Sequence, residues 1–474
     1  MSHQYNPSHQ QYHKLYIGLL VLIALLPLPH GGELVWEHTP FISGSFLLLT
    51  LWLFQQWRYS RPLPDIIRSI KVPLILLCIW LIYPLIQILP LPESWLSLLN
   101  PAAYEINHQA LIAGITPTNS LSIDSGSTFQ EFLRYASYIT LFFLLLTLCD
   151  TKTRLKQLAV TLFLVGFAQA LYSLINYYTN GAFSLNEPIP PWGVDWERAT
   201  RGTYTHYNHF AALMEMTIPI GIGLVLSYSQ HPHSDNNSNR LNQILSFIMS
   251  VRLLYIFGIA IMLTALIFSA SRGGNGAFAA AFFITLVIFS VLRSNKAQTL
   301  KLLPIALIIL ISIVGLLGSG KLVDRFDKQG FGPNGRDHMR TTTYQLATDY
   351  PLFGSGTGTY PHIYYQYKLP ELGITSMSKR AHNDYLELLT DQGIIGFSLL
   401  GTSIALLFFT IMKGIRTRHN PMMVGLLFGS TLGIISMLIH SLVEFNFHIP
   451  ANASYFFVLL AMATIASSLK KQGQ

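Results

Sequence analysis

Apolar runs recur along the chain, separated by short polar connections. A hydrocarbon core of roughly 30 Å takes about 20 helical residues to cross. Runs near that length are predicted at 15–29, 40–56, 72–90, 134–149, 157–178, 209–228, 253–270, 276–292, 301–318, 393–412, 422–440 and 452–469. The pattern predicts an all-α polytopic membrane protein of about 12 transmembrane helices. The longest polar interruption is 319–392. From Arg336 to Tyr350 it has helical periodicity, with Met339, Thr343, Leu346 and Ala347 on one face. Pro351 should end that helix, and the GSGTGTY stretch after it should turn. The chain therefore divides into a membrane unit, 1–318, with nine spans, a large and mainly helical loop, 319–392, and a membrane unit, 393–474, with three spans.

Composition sharpens this. Of 474 residues, 51% are hydrophobic and only 11% charged, against about 25% charged in a soluble chain. Net charge is +8, which would suggest nucleic acid in a soluble protein. In a membrane protein its distribution matters more. With the N-terminus inside, seven cytoplasmic segments hold 18 of the 30 Lys and Arg residues. The expectation is both termini in the cytoplasm, with 319–392 on the opposite face. A loop of that length on a membrane protein is more often functional than idle. The first apolar run has no small-residue cleavage site after it and is expected as a retained span. Cys78 and Cys149 give neither a disulfide framework nor metal spacing. No nucleotide-binding signature is present, so any donor used outside the cytoplasm must carry its own activation. An anion transporter of the bicarbonate type is the rival class. It would place its charges at the bilayer midplane and usually shows internal repeats; here no repeat is visible and the informative residues gather at the outer interface.

Four outward clusters could carry chemistry. In RGTYTHYNHFA, Arg201, His206, Asn208 and His209 stand where a helix enters the membrane, with Asn208 suited to cap it. In SRGGN, Arg272 is the only charge of a tight hairpin, and Gly273 and Gly274 would let a large anion approach the backbone. Positive-inside sorting does not favour an arginine there, so a phosphate ligand is the better reading. Arg336 and Arg340, one turn apart, share a helix face in the long loop. The fourth cluster is AHNDYLELLTDQGIIG, 381–396. Asn383 or Asp384 can cap a helix there, with Glu387 completing a capping box, and His382 stands just before it. An imidazole beside the positive end of a helix dipole is suited to accept a proton. The acidic pair Asp195 and Glu197 lacks a third ligand, and no metal is expected.

His382 and Asn383, nine residues, then Gly393 and Gly396 resemble the H[NSQ]-x9-G-x-x-G motif of bacterial O-antigen ligases. Those proteins share a superfamily with O-antigen polymerases and pilin-type oligosaccharyltransferases. SRGG at 271–274, Gly335-Arg336 and PLFGSGTGTY at 351–360 extend the resemblance over roughly the C-terminal 280 residues. It implies a metal-independent, inverting glycosyltransferase without a cofactor, at the periplasmic face of the inner membrane. The donor would be an undecaprenyl-pyrophosphate-linked glycan and the acceptor lipid A-core (a ligase), a growing glycan (a polymerase) or a protein, with no nucleic acid involved. By the same resemblance His382 is the catalytic histidine, and Arg272 and Arg336 bind the pyrophosphate. Arg201 and Arg340 have weaker claims, as do His440, Glu444 and His448 in the outer hairpin HSLVEFNFH. Asn383, Asp384 and Glu387 are expected to position the histidine.

Overall fold

The computed structural model describes residues 7–60, 62–185, 199–228, 250–293, 335–367 and 380–469. Among them the elements are helices: α1 (Pro7–Leu25), α2 (Val35–Tyr59), α3 (Asp65–Ser69), α4 (Lys71–Gln87), α5 (Glu93–Leu99), α6 (Pro101–Ile112), α7 (Ser125–Leu148) and α8 (Lys152–Tyr178). After these come α9 (Tyr207–Ser227), α10 (Val251–Phe268), α11 (Arg272–Leu292), α12 (Gly335–Asp349), α13 (Tyr360–Tyr367), α14 (Asp384–Thr417), α15 (Pro421–His440) and α16 (Pro450–Ser468). Eight of them, α7 to α11 and α14 to α16, are long and apolar enough to cross a membrane. The expected runs at 15–29, 40–56 and 72–90 fall on α1, α2 and α4. The run at 301–318, the pair Asp195 and Glu197 and the side chain of Arg336 lie outside the described residues. The chain is a multi-pass helical membrane protein.

Polar caps set the helix starts. Asp124 Oδ1 accepts the N–H of Gly126 (2.9 Å) at α7, Thr151 Oγ1 that of Arg154 (3.2 Å) at α8, and Ser271 Oγ that of Gly274 (3.1 Å) at α11. Proline opens α6, α15 and α16, where its missing N–H costs nothing. In the most apolar windows of α9, α15 and α16, 83–89% of residues are buried, against 22% in α14. The first three therefore form the centre, and α14 lies at the rim, packed on α4 and α16.

A second, smaller core sits at one end of this bundle. Leu96, Ala103, Leu121, Leu346, Tyr350 and Ile363 bring α5 and α6 together with α12 and α13. The turn 351–359 ties that cap to the bundle. Gln87 Nε2 donates to the carbonyls of Phe353 (2.8 Å) and Asp391 (2.9 Å), and Trp80 Nε1 donates to Gln392 Oε1 (2.7 Å). Where the turn meets α14, that helix breaks: Gly393 has φ 59° and ψ −170°. The amides of Ile394 and Ile395, robbed of their helical acceptors, donate instead to the carbonyls of Pro351 (2.9 Å) and Leu352 (3.3 Å). The short polar rod before the break, Asp384–Gln392, holds the histidine loop against the cap.

Candidate active site

The histidine loop is held from three sides. Asn383 caps α14, its Oδ1 accepting the N–H of Tyr385 (3.1 Å) and Leu386 (3.0 Å) while its Nδ2 donates to the Leu442 carbonyl (3.0 Å). Asp384, the first residue of the helix, donates its N–H to the Ser441 carbonyl (3.0 Å) and accepts the Phe447 N–H on Oδ2 (3.1 Å). Glu387 does not box with Asp384. Its buried carboxylate reaches back to the Ala381 N–H (2.8 Å) and to Arg380 (2.8 Å). Between these anchors His382 takes φ 49°, a left-handed conformation that residues with a Cβ occupy only when their surroundings enforce it.

That conformation aims the imidazole at the hairpin after α15. His382 Nδ1 lies 2.5 Å from Glu444 Oε1; the histidine side chain is 22% exposed and the glutamate 1%. Asn208 Nδ2 donates to the other Glu444 oxygen in a short hydrogen bond. The imidazole edge packs on the Phe445 ring, centroids 4.8 Å apart, and His209 packs on the same ring at 4.7 Å. His209 Nδ1 in turn lies 3.2 Å from Asn446 Oδ1. With Nδ1 engaged by a buried carboxylate, Nε2 is the other nitrogen of the His382 ring. Asn208 is thus not the cap of α9; His206 takes that place, its ring accepting the Asn208 N–H at 3.2 Å.

A second polar group stands behind the loop. His448 Nε2 faces Glu387 Oε1 at 3.1 Å, and Arg134, paired with Glu131 one turn before it on α7, donates to the His448 carbonyl (2.6 Å). Burial, with the charges of Arg380 and Arg134 beside it, holds the His448 imidazole well below the usual histidine range. In the unfolded chain this histidine gains a proton as pH falls through about 6.5, and in the fold it does not. The stabilising contribution is therefore present above about pH 6.5 and is lost progressively below it. Thermal unfolding in detergent should shift to lower temperature between pH 7 and 5, and His448→Gln should flatten part of that shift. An unchanged slope in the variant would show that His448 does not carry it. Next to this group lies an apolar cavity of about 120 Å³, lined by Trp80, Tyr135, Tyr138, Phe456 and Phe457, with Asp384 and His448 at its polar margin.

The arginines distribute around the same end. Arg272 is the exposed first residue of α11. Arg201 is buried, 7% exposed, in the loop leading to Asn208, and its Nη1 donates to the Thr205 carbonyl (3.3 Å). Arg340 is half-buried on α12, next to Met339, which packs on Tyr360, Tyr364 and Ala381. Arg336 lies a turn earlier on α12. Gly393 makes the helix break, and Gly396 is buried one turn beyond it. The sequence had no local signal for Arg380, Glu131 or Arg134.

These features define a class: an all-helical, multi-pass membrane protein with a strained histidine, held by a buried carboxylate, at one end of its bundle. Residues 257–401 match the family model described as O-antigen ligase. The match supports the O-antigen ligase and polymerase superfamily, whose shared activity is transfer of lipid-linked glycans. It takes in Arg272, Arg336, Arg340, His382, Gly393 and Gly396 and ends before Glu444 and His448. No curated protein matches the chain.

Proposed function

We propose that the chain moves a glycan from an undecaprenyl-pyrophosphate carrier to an acceptor hydroxyl at the periplasmic face of the inner membrane, as an O-antigen ligase acting on lipid A-core. The observation that carries this reading is His382 Nδ1 at 2.5 Å from the buried Glu444 carboxylate. Held in this way, His382 Nε2 takes the proton of the acceptor hydroxyl as its oxygen attacks the anomeric carbon, and Glu444 stabilises the imidazolium that results. The bond from that carbon to the pyrophosphate oxygen breaks on the opposite face, so the anomeric configuration inverts. The leaving pyrophosphate gathers negative charge, which Arg272 and Arg336 meet, with Arg201 and Arg340 in support. Four arginines supply the charge for which other transferases use a metal ion. The apolar cavity beside α14 has the lining an isoprenoid segment would need. The basic residues of the short connections support cytoplasmic termini and a periplasmic site.

Deleting the gene and analysing lipid-linked and surface glycans tests the assignment. The expected result is accumulated undecaprenyl-linked polymer together with bare core. A single undecaprenyl-linked repeat would make the protein a polymerase, and unchanged surface glycans would remove both readings.

A further inference from the structure

The mechanism uses Arg272 but not the ionisable pair beneath it. Glu215 of α9 and His440 at the end of α15 lie with Oε1 and Nδ1 2.8 Å apart, their side chains 0% and 1% exposed. Ser436 Oγ donates to the other Glu215 oxygen (2.7 Å). Taking two such groups out of water is costly unless their mutual attraction repays it, and inside a membrane such residues are rare. A pair kept at that cost is to be judged by what rests on it. The first turn of α11 does. A methyl group on Gly274 would lie 2.7 Å from Glu215 Oε1, and one on Gly273 would lie 3.0 Å from the His440 ring. Only glycine lets the Arg272 turn settle so closely on the pair. The next two residues of the same α15 terminus hold the histidine loop, since the Ser441 carbonyl accepts the Asp384 N–H and the Leu442 carbonyl accepts Asn383 Nδ2, each at 3.0 Å.

We propose that the buried Glu215–His440 pair is a positioning device for the donor. It fixes the Arg272 turn of α11 against the α15 terminus that also carries the His382 loop, and so sets the affinity of the site for a pyrophosphate group. This rests on the reading of Arg272 as a pyrophosphate ligand. Neither Glu215 nor His440 touches the reacting atoms; both act through Arg272. Loss of the pair should therefore appear in donor binding and leave the proton-transfer step alone.

The experiment uses the full chain purified in detergent, with inorganic pyrophosphate as the calorimetric probe and lipid-linked donor for kinetics. Glu215→Gln and Gly273→Ala should each weaken pyrophosphate binding about tenfold, or ~1.4 kcal/mol. Donor KM should rise by a similar factor and kcat/KM should fall at least as far, because Arg272 holds the pyrophosphate both when bound and as it leaves. Gly401→Ala, in open space on α14, serves as the control. If Glu215→Gln does not fold, Ser436→Ala and Gly273→Ala carry the comparison. Pyrophosphate binding reduced by Arg272→Ala but kept in the Glu215, Ser436 and Gly273 variants would overturn this inference alone. No binding by the parent chain, or binding unaltered in Arg272→Ala, would overturn the donor reading and the inference with it. A fall in kcat at unchanged KM would likewise overturn it, since the pair would then serve the chemical step.

Discussion

Replacing His382 by alanine is expected to reduce glycan transfer by about 10²–10⁴-fold, the range that a positioned general base contributes, with the protein still folded and inserted. The side chain is only partly buried and is held by Glu444, so its removal takes little packing with it. Glu444→Gln should keep the shape and lose the charge. The imidazolium then forms without its carboxylate, and transfer should fall about 10- to 100-fold, the worth of a hydrogen bond to a charged group. The two losses should not add, because both residues serve one proton transfer. A purified system with lipid-linked donor and isolated acceptor measures all three rates. Full activity in His382→Ala would end the general-base assignment, and additive losses would place Glu444 in a separate role.

The second large effect belongs to Gly393. Its φ of 59° and ψ of −170° lie in a region that is essentially glycine-only. A methyl group there would also stand 2.2 Å from the Leu352 carbonyl oxygen and 2.4 Å from its carbon. Backbone cannot give way as a side-chain tip can. Gly393→Ala should therefore cost more than about 3 kcal/mol, from conformational strain and a displaced turn together. The expected outcome is loss of the monodisperse peak in size-exclusion chromatography in detergent, while Gly401→Ala elutes unchanged. A folded Gly393→Ala variant would mean that the turn 351–359 can detach from α14 without loss.

Much of the architecture was legible because spans are written in one dimension. An apolar run long enough to cross a membrane declares itself, and so does a cap residue such as Asn383. The amphipathic pattern read from Arg336 to Tyr350 corresponds to α12 within a residue at either end. What failed to show was everything set by proximity across the bundle. Glu444 lies 62 residues from His382, and Asn208 lies 236 residues from Glu444, so no spacing rule connects them. Local rules also misassigned two partners. Asn208, a good cap by type, lends its amide to Glu444 and leaves the cap to His206. Glu387, three residues after Asp384, turns back to Arg380 and Ala381 because those groups are buried with it and would otherwise lack a counterpart. Gly393 was visible as a motif letter. Its role as the break in a span needed the carbonyls of Pro351 and Leu352, which only the folded chain brings alongside.

That break also bears on how the protein is made. A span enters the bilayer with its amides bonded within its own helix, and lipid offers no substitute acceptor. The freed amides of Ile394 and Ile395 find theirs on Pro351 and Leu352, which leave the ribosome some forty residues earlier by sequence order. The acceptors are thus synthesised before the donors that need them. A chain reordered so that 351–359 followed α14 would have to insert a span whose bonding was still unfinished.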